Sequence, residues 1–186
     1  MIRINKELVE YVTRLHQSNG SGVIHELVLK PGEIVIEQRK RIFATYIMKS
    51  GIAKCYMTED TGVDFIQEFF GEGALFGEVE MFNDELTFCT IQAISEIVVY
   101  KIPGSDFHQL LGEDKKFNRS ILNAMANKIR YSAKRHAYNQ SHTIESNLSR
   151  LQKAIPNLLD VISKKDIANY LGITERSLNR TLSAIR

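Results

Sequence analysis

The 186-residue chain is 44% hydrophobic and 25% charged, has no Trp and only three Pro, and carries a net charge of +2. That composition fits a soluble globular protein with one good-sized core and a small second unit, and no low-complexity tract stands out. The longest apolar runs, such as Ile97-Val98-Val99-Tyr100, are far too short to span a bilayer, and Met1-Ile2-Arg3-Ile4-Asn5-Lys6-Glu7 shows no secretory h-region, so a cytoplasmic protein is expected.

In chain order, residues 4–16 read as a short helix, with Leu8, Val12 and Leu15 on one face. Alternating short runs then predict strands at 23–29, 33–37, 43–49, 52–58, 63–70, 88–94 and 97–102. Turn signals separate them: Pro31-Gly32, Ser50-Gly51, Asp60-Thr61-Gly62, Gly71-Glu72-Gly73 and Pro103-Gly104. Strands so spaced predict a sandwich or roll rather than a parallel sheet with crossover helices.

After Gly104 the period becomes helical. Ser105 is a suitable N-cap for a helix over 106–111, and 115–138 predicts a helix of ~24 residues, ~36 Å long. Phe117, Ile121, Met125, Ile129 and Ala133 recur every four residues along it, with Leu122 and Ala126 alongside. The length exceeds what a small roll needs as cover, so Phe117, Ile121, Met125 and Ile129 are expected to form a seam with a second copy. A further helix over 144–155 should stop before Pro156.

Residues 163–186 carry the most specific motif. Ser163 suits an N-cap and Asp166 the first turn. Ile167 and Leu171 face inward, Ala168 is small where helices cross, and Gly172 permits a tight turn. Thr174 caps a second helix whose inward stripe is Leu178, Leu182 and Ile185. Its outward side offers Glu175, Arg176, Asn179 and Arg180, types that read base edges. Lys164, Lys165, Thr174 and Ser177 suit phosphates, which position without specifying. Charge agrees: residues 1–114 hold 10 Lys+Arg against 18 Asp+Glu (−8), and 115–186 hold 14 against 4 (+10). Seven of those 14 cations lie in 115–138, which tempers the argument.

A β-roll, a long helix and this terminal motif, in that order, resemble the cyclic-AMP receptor protein/Fnr (Crp/Fnr) family of bacterial transcription regulators. The resemblance rests on Lys30-Pro31-Gly32-Glu33, the Gly51 and Gly62 turns, Gly73-Ala74-Leu75-Phe76-Gly77-Glu78 and the terminal helix pair. It implies an α+β fold: a cyclic-nucleotide-binding-like jelly roll over 1–114, a dimerisation helix over 115–138 and a winged-helix-type helix-turn-helix over 139–186. The family's wing is absent from this chain, which ends at Arg186, so the third unit is either incomplete here or wingless. Implied partners are pseudo-palindromic double-stranded DNA, a second copy of the chain and RNA polymerase, with an unknown small-molecule effector or none. Two recognition helices would enter major grooves ~34–36 Å apart, with Glu175, Arg176 and Arg180 at the base-contacting positions. The order Glu-Arg reverses the Arg-Glu of the cyclic-AMP branch, so the operator should differ.

In cyclic-AMP-binding members a Gly-Glu pair is followed about ten residues later by Arg-Ser, which holds the phosphate. Gly77-Glu78 fits the first half, but Leu86-Thr87-Phe88-Cys89-Thr90 does not fit the second, and no Arg lies between Arg41 and Arg119. A buried anion without a cationic partner is costly. Cyclic AMP is therefore not the expected effector, and Gly77, Glu78, Thr87 and Phe88 are candidate pocket residues for some other ligand, Gly77-Glu78 equally well a structural turn.

Cys55 and Cys89 form no CxxC pair and cannot supply the four thiolates of an iron–sulfur cluster; buried structural thiols are favoured over a redox switch. His16, His25, His108, His136 and His142 show no haem or cupin-type metal pattern, and no catalytic signature is present. No enzyme, metal or cofactor is expected. The alternative is an effector-binding or protein-interaction module that has lost DNA binding.

Overall fold

A computed structural model describes residues 4–18, 22–155 and 157–185. The N-terminal residues 1–3, Pro156, the side chain of Ile185 and Arg186, all used in the sequence reading, lie outside the described residues.

The strands are β1 (His25–Leu29), β2 (Ile34–Ile36), β3 (Ala44–Ser50), β4 (Ala53–Thr58), β5 (Asp64–Phe70), β6 (Leu75–Phe76), β7 (Thr90–Ala93) and β8 (Ile97–Pro103). They form two four-stranded sheets, ordered β1-β8-β3-β6 and β2-β7-β4-β5, with antiparallel pairing throughout. Strand β3 explains the layering. Its Ala44, Tyr46 and Met48 enter the core between the sheets, while Ile47 faces a second core formed with helices. The period of two thus separates two packed faces. In β8, likewise, Ile97 and Val99 belong to the first core, and Tyr100 and Ile102 to the second.

The helices are α1 (Lys6–Ser18), α2 (Glu78–Asn83), α3 (Gly104–Glu113), α4 (Lys115–Ser141), α5 (Ile144–Ala154), α6 (Leu158–Val161), α7 (Lys164–Leu171) and α8 (Glu175–Ile185). The seven expected strands are present with shifted ends. Two short elements, β6 and α2, were not anticipated. Ser105 does not cap α3, whose N-cap is Pro103; the helix starts at Gly104, two residues earlier than a Ser105 cap allows. Asp114 caps α4 by accepting from the backbone amides of Lys116 and Phe117, both at 2.9 Å.

The expected seam on α4 is corrected. Phe117 and Ile121 are fully buried in the second core with Leu8, Val12 and Phe107 of the same chain, so they have no surface left for a partner. The physical reason is helical drift. Four residues advance a helix by ~400°, so a run spaced every four rotates ~40° at each step. By Ile129 the run has left the inner face, and Ile129 is 71% exposed. The inner face instead continues through Ala124, Tyr131 and Arg135, while Leu122, Ala126, Ile129 and Ala133 line the outer one.

A third core joins α5–α8 to the roll. Leu148, Leu151, Ile167, Ala168 and Leu178 pack together with Ile66 and Phe69 of β5. No described helix is long and apolar enough to cross a membrane.

Candidate effector cavity and nucleic-acid interface

Between the inner face of the β2-β7-β4-β5 sheet, α2 and α4 lies a cavity of about 400 Å³. Gly77, Glu78 and Phe88 line it, together with Cys55, Cys89, Lys128 and Arg135. Gly77 adopts a left-handed φ of 80° just before α2, and a Cβ there would press on the Ala44 carbonyl at 3.0 Å. That turn delivers Glu78 as the first residue of α2, only 1% exposed. Its Oε1 accepts from Lys128 Nζ at 2.7 Å. Burial works against the Lys128 charge, but the Glu78 carboxylate outweighs it by charge and hydrogen bond, and the ammonium's pKa rises above its ordinary value. Nearby, Glu80 has its pKa raised, chiefly by burial.

Thr87 is not a lining residue. It is 1% exposed and clamps the loop after β2, its hydroxyl accepting from the Lys40 amide at 3.0 Å and donating to the Glu37 carbonyl at 2.5 Å. Backbone groups in that loop lack strand partners, and the hydroxyl supplies them. Phe88 does not fill the cavity; it lies at its edge, 47% exposed, because Phe88 and Cys89 form a bend before β7 begins.

The cations of the cavity come from α4, the helix expected to form a seam with a second copy. Lys128 and Arg135 follow Phe117, Ile121 and Ala124 at helical spacing, and that spacing was the available signal. Arg135 is buried. Its guanidinium stands 4.1 Å from the Tyr170 ring centroid and donates to the carbonyls of Ile66 and Tyr170, each at 3.2 Å. One side chain therefore touches the cavity, β5 and α7 together.

At the other end, Ser163 Oγ accepts from the Asp166 amide at 3.1 Å, and Thr174 Oγ1 from the Ser177 amide at 3.2 Å, capping α7 and α8. Gly172 closes α7 with a left-handed φ of 68°. Ile167, Ala168 and Leu178 are buried between the helices; Leu171 and Leu182 are partly buried. Glu175, Arg176, Asn179 and Arg180 are all exposed on α8, and so are Lys164, Lys165 and Thr174, with Ser177 partly buried. Lys164 Nζ donates to Asn179 Oδ1 at 2.9 Å. Asp166 instead faces the roll, where Lys54 of β4 pairs with it at 2.8 Å. The rings of Tyr170 and Phe69 meet at 5.0 Å.

Residues 26–114 match the cyclic nucleotide-binding domain family. Over 165 residues the chain is 24% identical to the anaerobic regulatory protein of Aggregatibacter actinomycetemcomitans, covering 83% of this chain and 64% of that protein. It is 25% identical to the regulatory protein HlyX of Actinobacillus pleuropneumoniae over 83% of this chain and 68% of that one. The chain is similar to regulators of the Crp/Fnr type. The likeness in fold extends along the chain's length. CLP of Xanthomonas campestris, described as a c-di-GMP responsive global regulator, superposes with a TM-score of 0.74 at 13% identity, covering 97% of this chain and 91% of that one. FixK2 of Bradyrhizobium japonicum gives 0.72 at 19% identity, covering 88% and 84%. The chain spans 64% and 62% of the anaerobic regulatory proteins of A. actinomycetemcomitans and Pasteurella multocida. These relatives carry the names of regulators rather than of enzymes. Among the described residues no group of three or more His, Cys, Asp or Glu could hold a metal ion.

Proposed function

We propose that the chain is a homodimeric, sequence-specific DNA-binding transcription regulator whose roll cavity reports to its terminal helix pair. The observation that carries this reading is the outer face of α8, where Glu175, Arg176, Asn179 and Arg180 stand exposed while Leu178 anchors the opposite side. Arg pairs with guanine, Asn with adenine, and Glu accepts from cytosine. Lys164, Lys165, Thr174 and Ser177 take phosphate contacts. The working division is 1–114 for the sensor roll, 115–138 for the dimerisation helix and 139–186 for the helix-turn-helix. RNA polymerase is the further partner of such a regulator on DNA.

The dimer seam proposed here is the outer stripe of α4, Leu122, Ala126, Ile129 and Ala133, with Leu122 58% and Ile129 71% exposed. These positions follow i, i+4, i+7, i+11, the spacing of one helix face. Ile129→Glu should convert the dimer to monomer in sedimentation velocity without unfolding it, and wild-type protein sedimenting as a monomer would remove the seam.

The effector reading also stays with a ligand other than cyclic AMP. Lys128, the cation that could meet a phosphate, is already neutralised by Glu78, and Glu68 and Glu80 add carboxylates to the lining. Calorimetric titration should show no micromolar affinity for cyclic AMP; a saturable micromolar isotherm would overturn this. A different ligand acts through unequal affinity for two packings of α4, with Arg135 as the link to α7.

DNA binding is tested by fluorescence anisotropy on genomic fragments. Affinity should fall steeply with salt. Arg176→Ala or Arg180→Ala should each cost ~1–3 kcal/mol on the preferred site, and Lys164→Ala or Lys165→Ala should weaken all sequences alike. Salt-independent or absent binding would favour a protein-interaction module instead.

A further inference from the structure

The two cysteines are separated by 34 positions in sequence, yet the fold brings their sulfurs to 2.8 Å. Both are free, both are 5% exposed, and both line the cavity. Cys55 lies in β4 opposite Ile91 of β7, and Cys89 stands two residues before Ile91, on the same face of the sheet. A disulfide needs ~2.05 Å between sulfurs, so bond formation requires less than an ångström of approach and no change of strand register.

We propose that Cys55 and Cys89 form a peroxide-oxidisable dithiol, closing to an intramolecular disulfide on the wall of the effector cavity. The cavity of about 400 Å³ admits an oxidant of this size, since water itself occupies ~30 Å³. Half-exposed Phe88 borders the cavity and is the chain neighbour of Cys89, whereas Cys55 lies within β4. Cys55 donates its thiol hydrogen toward Cys89. That bond, with burial, holds the Cys55 thiol well above the usual range, while the Lys128 ammonium opposes it. Cys89, beside half-exposed Phe88, is therefore assigned to meet the peroxide, and Cys55 to resolve the product.

The reaction balances in two steps. Cys89–SH and H₂O₂ give Cys89–SOH and one water, as sulfur takes an oxygen and the O–O bond breaks. Cys55–SH then attacks the Cys89 sulfur, the S–O bond breaks, and the departing hydroxide leaves as water with the Cys55 proton. Two thiols are oxidised by two electrons, and one peroxide is reduced to two waters. Reversal needs a thiol reductant.

Oxidation of the pair is read on the thiols themselves, independently of DNA binding. The full-length reduced chain is treated with hydrogen peroxide, quenched, denatured in N-ethylmaleimide and weighed by intact-mass spectrometry. Alkylatable thiols should fall from two per chain to near zero, with a mass lighter by two hydrogens, a single-chain band on a non-reducing gel, and recovery in dithiothreitol. Peptide mapping should return a Cys55–Cys89 cross-link. In Cys55→Ser, Cys89 should stop at the sulfenic acid and take a dimedone label; Cys89→Ser should label far less. Two alkylatable thiols left in the wild type, an interchain product, or only higher oxides would overturn the proposal. The reverse labelling pattern would overturn the assignment of the attacking sulfur. Should either variant fail to fold, the wild-type mass and cross-link still decide.

Discussion

The cavity and the outer face of α8 are built from the same kinds of side chain under opposite conditions. In the cavity, Glu78 is 1% exposed and Lys128 and Arg135 each have partners within the chain. On α8, Arg176 and Arg180 stand in solvent. The difference follows from desolvation. A charge removed from water needs a partner at once, whereas a charge left in water can wait for one. Buried cations therefore hold this structure together, and exposed ones are free to recognise something outside it. Single substitutions should separate the two classes cleanly.

The largest effect is expected at Lys128. Lys128→Met leaves the Glu78 carboxylate buried and unpaired, which should cost ~3 kcal/mol in urea unfolding. The double variant with Glu78→Gln should recover part of that loss; no recovery would mean that packing, not charge, is at stake. The pair also has a pH signature. Folding raises the Lys128 pKa above its ordinary 10.5, so its stabilisation is complete below that value and fades as pH climbs through the folded-state pKa. Lys128→Met should lack this alkaline decline.

A smaller effect is expected at Arg135. Arg135→Met removes two charge-assisted hydrogen bonds and the Tyr170 stack but leaves no buried counter-charge among its hydrogen-bond acceptors, which are backbone carbonyls; ~2 kcal/mol is expected. Hydrogen exchange should quicken in α7 and at β5 ahead of the rest of the roll. Uniform quickening would deny Arg135 a local role.

The smallest effect on stability belongs to α8. Arg176→Ala and Arg180→Ala should change unfolding free energy by no more than ~0.5 kcal/mol, although they weaken DNA binding. A large loss of stability in either would place that side chain in the fold rather than in recognition.

Much of this was legible in the sequence, and the failures share a cause. The strands of the roll announced themselves because β3 and β8 alternate between two apolar cores. The helix pair was legible because caps, turn glycine and inward stripe are local: Ser163, Gly172, Thr174 and Leu178 lie within sixteen residues. Strand β6 and helix α2 escaped because two and six residues carry no period to read. Thr87 and the cysteine pair escaped because their partners lie far along the chain, at Glu37, Lys40 and between the two thiols themselves. On α4 the error was geometric, since a spacing of four does not keep to one face. Spacings of three and four mixed would have placed Lys128 and Arg135 inward.

The third core has a consequence for how a signal could travel. Ile66 and Phe69 belong to the roll by chain position but complete the hydrophobic underside of the helix pair, and Lys54 reaches across to Asp166. A terminal segment expressed without the roll would be missing one wall of its own foundation. Nor can it swing as a tethered weight: to turn, it must first unlatch from β5, so motion there is a discrete exchange of one packing for another.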